Sequence, residues 1–89
     1  MASFRKDPDA RLDYTVDWAD WLGDTDFIVS AATSVQSGLT FYTEAHTSTV
    51  HTIWLTGGSA GQEYNVTSRI FTNAGRIDDR SFTIKVVER

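Results

Sequence analysis

The sequence predicts an all-β fold, an immunoglobulin-like β-sandwich of about six to seven strands with one short helical turn near residues 17–22. Three observations predict it. Thr, Val and Ile are abundant, several runs alternate apolar and polar side chains, and glycine-rich or Asn-Ala-Gly turns separate those runs. At 89 residues, 40% hydrophobic, with one proline and no cysteine, the chain is sized for one compact soluble domain, which excludes a two-domain enzyme with a deep cleft. The lack of cysteine removes disulfides, thiol nucleophiles and thiolate zinc sites, so stability must come from packing or from neighbouring subunits.

Along the chain, Leu12, Tyr14, Val16 and Trp18 alternate with Asp13, Thr15 and Asp17, the pattern of a half-buried strand. Asp17 then caps, and Gly23 stops, a single helical turn, on which Trp18 and Trp21, three apart, project from one side. Phe27 to Val35, Leu39 to Thr43 and Thr49 to Thr56 are the next strands. In the last of these, Val50 and Trp54 share one face and Ile53 and Leu55 the other, so alternation alone does not say which points inward. Gly57-Gly58-Ser59-Ala60-Gly61 permits positive φ and a tight reversal. Tyr64, Val66 and Ile70 form the apolar face of the following strand, and Asn73-Ala74-Gly75 closes it. Phe82, Ile84 and Val86 then face one way in a last strand, with Ser81, Thr83, Lys85 and Val87 facing the other. A small closed barrel is the alternative architecture. Tyr64, at the head of the penultimate strand just after a turn, favours the sandwich, where a tyrosine corner ties turn to sheet. The expected core is Tyr14, Val16, Trp54, Tyr64, Val66, Ile70, Phe82, Ile84 and Val86.

The formal charge of -4 opposes attraction to phosphate backbones or anionic lipid, so neither nucleic acid nor membrane is an expected partner. Seven aspartates against Arg5, Lys6 and Arg11 place that whole charge between Met1 and Asp26. The first residues lack the apolar run of a signal peptide, so the chain reads as made and kept in the cytosol. Asn65-Val66-Thr67 fits a glycosylation acceptor, but two polar positions flanking a buried valine explain it as well.

No constellation for catalysis emerges, and neither a metal nor a cofactor is expected. Asp13, Asp17 and Asp20 alternate with aromatics where a calcium loop would carry glycines. His46 and His51 lack a carboxylate at metal-motif spacing, and no serine lies in G-x-S-x-G. Asp78-Asp79, the adjacent acidic pair, is expected in a turn with Arg76 and Arg80 as charge partners. The three tryptophans divide between core and surface: Trp54 is expected to fill the core, Trp18 to plug its open end, and Trp21 is the better surface anchor. Residues 1–11 are expected to form an extended arm, with Phe4 as its apolar anchor beyond Pro8, and residues 12–89 the sandwich. The candidate partner interface is then Phe4, Trp18, Trp21, Ser81, Thr83, Lys85 and Val87, with strand addition along the last strand.

Lys6-Asp7-Pro8-Asp9, Leu12-Asp13-Tyr14, Asp17-Trp18, Leu22-Gly23, Trp54-Leu55-Thr56-Gly57-Gly58, Gly61, Tyr64, Val66-Thr67, Arg69-Ile70, Gly75-Arg76 and Asp79-Arg80-Ser81-Phe82 together give a chain that resembles the small fibre-tail adaptor proteins of tailed bacteriophages. The stretch from Asp26 to Thr49 carries none of this resemblance. The resemblance implies a non-enzymatic virion structural protein with an immunoglobulin-like fold in the tail or head-tail region. Its implied partners are other tail, connector or fibre proteins, in a symmetric multi-copy assembly built in the host bacterial cytoplasm. A receptor- or carbohydrate-binding module, with Trp21 and Tyr42 stacking on sugar rings, is the alternative, as is a capsid decoration protein.

Overall fold

The computed structural model describes residues 2–87. Its strands are β1 (Ala2–Lys6), β2 (Leu12–Asp17), β3 (Ile28–Val35), β4 (Leu39–His46), β5 (Val50–Gly57), β6 (Glu63–Thr72) and β7 (Ile77–Val86), with one helical turn, α1 (Ala19–Leu22), after β2. They form a β-sandwich: a four-stranded sheet ordered β1-β7-β6-β3 faces a three-stranded sheet ordered β2-β5-β4. All pairings are antiparallel except that of β1, which runs parallel to β7. The molecule measures 43 × 22 × 19 Å. Since a ten-residue strand spans roughly 33 Å, the long axis follows β6 and β7.

Inward-facing residues form two apolar clusters. The larger holds Tyr14, Leu39, Ile53, Leu55, Tyr64, Val66, Phe82, Ile84 and Val86; the smaller, at the α1 end, holds Trp18, Leu22, Ile28 and Ile70. Val16 is only partly buried and packs against both. Burial of each such side chain contributes on the order of 1.5–3 kcal/mol.

Trp54 corrects the expected core. On β5 the inward residues are His51, Ile53 and Leu55, and Trp54 lies half-buried on the outer face, opposite Asp13 of β2 and Thr43 of β4. β5 is apolar on both faces, and the smaller branched chains take the narrow space between sheets.

Residues 2–6 also depart from expectation. They do not extend away as an arm but pair with the chain's own β7, Phe4 opposite Ile84 and Lys6 opposite Val86. The turn at Pro8 reverses the chain, with the Ala10 amide donating to the Asp7 carbonyl at 3.1 Å. Lys6 is almost completely buried, and its ammonium donates to the carbonyls of Asp7 and Gly57, each at 2.8 Å, which links the two sheets at this end. Burial pushes its pKa down, opposed by the nearby charges of Asp7 and Asp9.

Asp78 and Asp79 lie within β7 and not in a turn, because the reversal is completed by Arg76. Asp79 sits directly opposite Arg69 and accepts two hydrogen bonds from it, at 2.7 and 3.0 Å.

Tyr64 anchors the glycine-rich turn: its hydroxyl accepts the Ser59 amide hydrogen at 3.0 Å. The ring fits because Gly38 and Gly58 carry no Cβ; one at Gly38 would lie 2.8 Å from Tyr64 Cε1, and one at Gly58 would lie 2.7 Å from Val86 Cγ2. Gly58 and Gly61 both have positive φ, but a Cβ on Gly61 meets open space. Gly58→Ala is therefore expected to destabilise the fold by about 1–3 kcal/mol more than Gly61→Ala, the difference being the overpacking cost. Urea unfolding of the two variants measures it.

Candidate interaction surfaces

The expected anchor turn around Trp18 and Trp21 is closed to direct contact at Trp18. Trp18 is fully buried, and its indole meets Trp21 edge-on with ring centroids 5.5 Å apart. The Arg80 guanidinium stacks 4.3 Å above the Trp18 ring and donates to the Asp17 carbonyl at 2.7 Å. Arg76 stacks 4.2 Å from the half-buried Trp21 ring, so only part of that side chain faces outward. The turn itself forms one residue later than expected: Trp18 occupies the N-cap, Asp17 Oδ1 accepts from the Ala19 amide at 2.9 Å, and the Gly23 amide closes onto the Ala19 carbonyl.

Arg76 locks this end to the four-stranded sheet. It donates to Asp26 Oδ2 at 3.0 Å and to the Leu22 carbonyl at 3.0 Å. Burial alone would push the Asp26 carboxyl up. Hydrogen bonds from the Thr72 hydroxyl, the Ala74 and Phe27 amides and Arg76 outweigh it and bring the pKa to about 2.

A second polar cluster crosses between the sheets. His51 on β5 is fully buried, with Nδ1 2.6 Å from Ser68 Oγ on β6 and Nε2 2.8 Å from Glu44 Oε1 on β4. Thr33 on β3 donates to the same Glu44 oxygen at 2.7 Å, and Trp18 Nε1 donates to Ser68 Oγ at 3.3 Å. A carboxylate only accepts and an indole only donates, so in the neutral ring Nε2 carries the hydrogen and Nδ1 accepts the Ser68 hydroxyl. The residue types are those of a hydrolytic relay, but Ser68 is fully buried between the sheets, so its oxygen acts as a structural junction and not as a nucleophile. Sequence reasoning missed this cluster, although Ser68 interrupts the inward apolar series Tyr64, Val66, Ile70, a signal that was present.

Ser81, Thr83 and Lys85 do face outward on β7, but β7 is flanked by β1 and β6, and Phe82 to Lys85 pair on both sides. Strand addition along that stretch is therefore corrected: both edges are occupied. Ser81 bonds Thr67 at 2.9 Å, Thr83 bonds Asn65 at 3.3 Å, and the Val87 amide donates to the Lys6 carbonyl. Phe4 packs on Tyr14 and Phe82, with ring centroids 5.2 and 5.5 Å away, and remains 36% exposed. With Val16, Arg80, Ser81 and Phe82 it lines a groove of about 380 Å³ where β1, starting opposite Phe82, leaves the first half of β7 uncovered.

The exposed large apolar residues other than Phe4 fall at the two ends of the sandwich. Phe27, Val29 and Ile77 are exposed at the α1 end; Leu12, Phe41 and Tyr42 are exposed at the other, where Leu12 and Phe41 flank Leu55 and Arg11 stacks 3.9 Å from the Tyr42 ring. Four of these six lie in the stretch from Asp26 to Thr49, where the family resemblance offered no guidance.

The sandwich thus carries an exposed apolar group at each end. Residues 6–85 match the family described as podophage GP4 fiber-tail adaptor protein gp77. The chain belongs to this family, which gives it a structural role in a phage tail and partners among tail and fibre proteins. Comparison with curated proteins finds no match.

Ser68→Ala leaves Trp18 Nε1 and His51 Nδ1 without their shared partner, and the expected loss is about 1–3 kcal/mol in chemical unfolding followed by tryptophan fluorescence. The Asp26 pKa is depressed in the folded state, so its stabilisation is present above the unfolded carboxylate value near 3.9 and is lost as pH falls towards about 2. Asp26→Asn is expected to lower Tm at neutral pH and to flatten the fall of Tm between about pH 4 and pH 2.

Proposed function

We propose that this chain is a non-enzymatic, two-ended adaptor of the podophage virion, holding a different tail or fibre component at each end of its long axis. The observation that carries the reading is the division of exposed apolar side chains between the α1 end and the end that contains Leu12, Phe41 and Tyr42. Family membership supplies the biological setting. A rigid bridge suits this role: Lys6 ties the sheets at one end, and the His51 cluster and Arg76 tie the other half of the molecule. The strand order, β2-β5-β4 facing β7-β6-β3, supports an immunoglobulin-like arrangement in which β1 has moved to the edge beside β7. Copy number follows the rotational symmetry of the tail in this reading, with contacts closing into a ring.

Sugar binding is less well supported, since guanidinium groups occupy one face of both Trp21 and Tyr42, the two rings a carbohydrate would stack on. The tail is favoured over a capsid decoration role by the family description.

The test uses tail particles lacking this protein and purified fibre protein. Phe27→Ser/Ile77→Ser and Leu12→Ser/Tyr42→Ser are each expected to weaken one attachment by tenfold or more and to leave the other intact, as measured by co-sedimentation and pull-down. If both pairs of substitutions leave both attachments unchanged, the two-ended reading is wrong.

A further inference from the structure

We infer that the outer face of the three-stranded sheet docks on the outer face of the four-stranded sheet of a second copy of this chain, so that copies stack sandwich on sandwich. The inference deepens the ring contact of the proposed adaptor and rests on that reading. β5 is the central strand of its sheet, and its outward residues Val50, Thr52, Trp54 and Thr56 are partly buried and carry no charge. A sheet with one wet face ordinarily alternates apolar with polar residues, whereas a strand apolar on both faces reads as covered on both. Among the described residues no third layer covers this face. An uncharged centre holding a tryptophan, with charges only at its rim, has the composition of a protein contact.

Charge selects a second copy as the occupant. Arg5 and Lys85 stand directly opposite each other on the outer face of β1 and β7, both exposed, and neither makes an ion pair among the described residues. Like charges side by side on neighbouring strands repel, so an anion brought from outside stabilises the pair. Glu63 lies beyond Lys85 on β6, on the side away from Arg5, and Asp7 and Asp9 act on the buried Lys6. On the opposite outer face Asp13, across from Trp54, is exposed and makes no ion pair among the described residues, while Arg11 is stacked on Tyr42. These two sets lie back to back. Tyr14, next to Asp13, donates its hydroxyl to the Arg5 carbonyl at 3.5 Å and packs its ring on Phe4, which places Asp13 at the level and edge of the sandwich that Arg5 and Lys85 occupy. Copies stacked with their sheets aligned therefore set Asp13 of one against Arg5 and Lys85 of the next. The uncharged stripe of β5 then lies over the rows Ser3, Thr83, Asn65 and Ser81, Thr67, Ser34. Pairing through two three-stranded sheets would leave Arg5 and Lys85 without an anion. The contact joins unlike faces, so it repeats, and it closes into a ring where each step turns.

Sedimentation velocity of the purified full chain at low salt, over a range of concentrations, tests the stack, and self-association that grows with concentration is expected. Asp13→Arg and Arg5→Glu/Lys85→Glu are each expected to weaken it roughly tenfold. An equimolar mixture of the two variants is expected to restore it, because each supplies the oppositely charged face that the other lacks. Trp54→Thr, which continues the pattern of Thr52 and Thr56, is expected to weaken it as well. A chain that stays monomeric, or a mixture as dissociated as its components, overturns the contact. So does loss of self-association in Asp13→Arg with none in Arg5→Glu/Lys85→Glu, since the copies then pair through like faces. A monomeric wild type whose attachment to tail particles or fibre protein is lost in Asp13→Arg also overturns it and assigns the face to that partner. Failure of the stack with the end attachments intact leaves the adaptor reading standing, and unchanged attachments in both end variants overturn that reading whatever the stack does. The substituted charges are exposed, so matching circular dichroism spectra and Tm values tie the losses to the contact.

Discussion

The structure depends on a polar layer that crosses between the two sheets, buried at His51 and Ser68 and partly exposed at Glu44 and Thr33. His51, Ser68, Glu44 and Thr33 come from β5, β6, β4 and β3, so each sheet contributes two of the four. Ser68 lies between Val66 of the larger apolar cluster and Ile70 of the smaller, so the layer divides the core into two. Apolar contacts are non-directional and would tolerate one sheet sliding over the other. A buried imidazole does not tolerate it, since a slide leaves His51 and Ser68 desolvated and unpaired. Among the described residues no buried side-chain polar atom lacks a hydrogen-bond partner, so this alignment satisfies all of them.

The same logic extends to the α1 end. Arg76 and Arg80 each spend one side chain on both a tryptophan face and a backbone carbonyl, a use that a planar guanidinium supports and an ammonium does not. These contacts turn Trp18 and Trp21 from free anchors into stiffening elements and leave Phe27, Val29 and Ile77 as the exposed apolar residues of this end.

Edges are handled differently on the two sides of the sandwich. β3 and β4 face each other and are joined through Thr33 and Glu44. On the other side β1 covers only Phe82 to Val86, and beyond its start Arg80 bridges to β2 while the Asp78 carboxylate accepts the Asp79 amide hydrogen. Charged groups at an uncovered edge discourage indiscriminate strand pairing.

Period and turn chemistry make the all-β sandwich, the glycine-rich reversal before Tyr64 and the inward series Phe82, Ile84 and Val86 legible in the sequence, and motifs near both ends carry the tail-adaptor resemblance. The side of Trp54 is not legible there, because β5 is apolar on both faces and alternation leaves the inward face open. Nor is the place of β1, because parallel pairing with a strand some eighty positions away has no local signature. The polar layer and the Asp26–Arg76 lock join residues 7 to 50 positions apart, and only packing brings them together. Local rules assign a residue to a face; the tertiary structure decides which faces meet, and so which charges are neutralised and which apolar groups stay exposed for a partner.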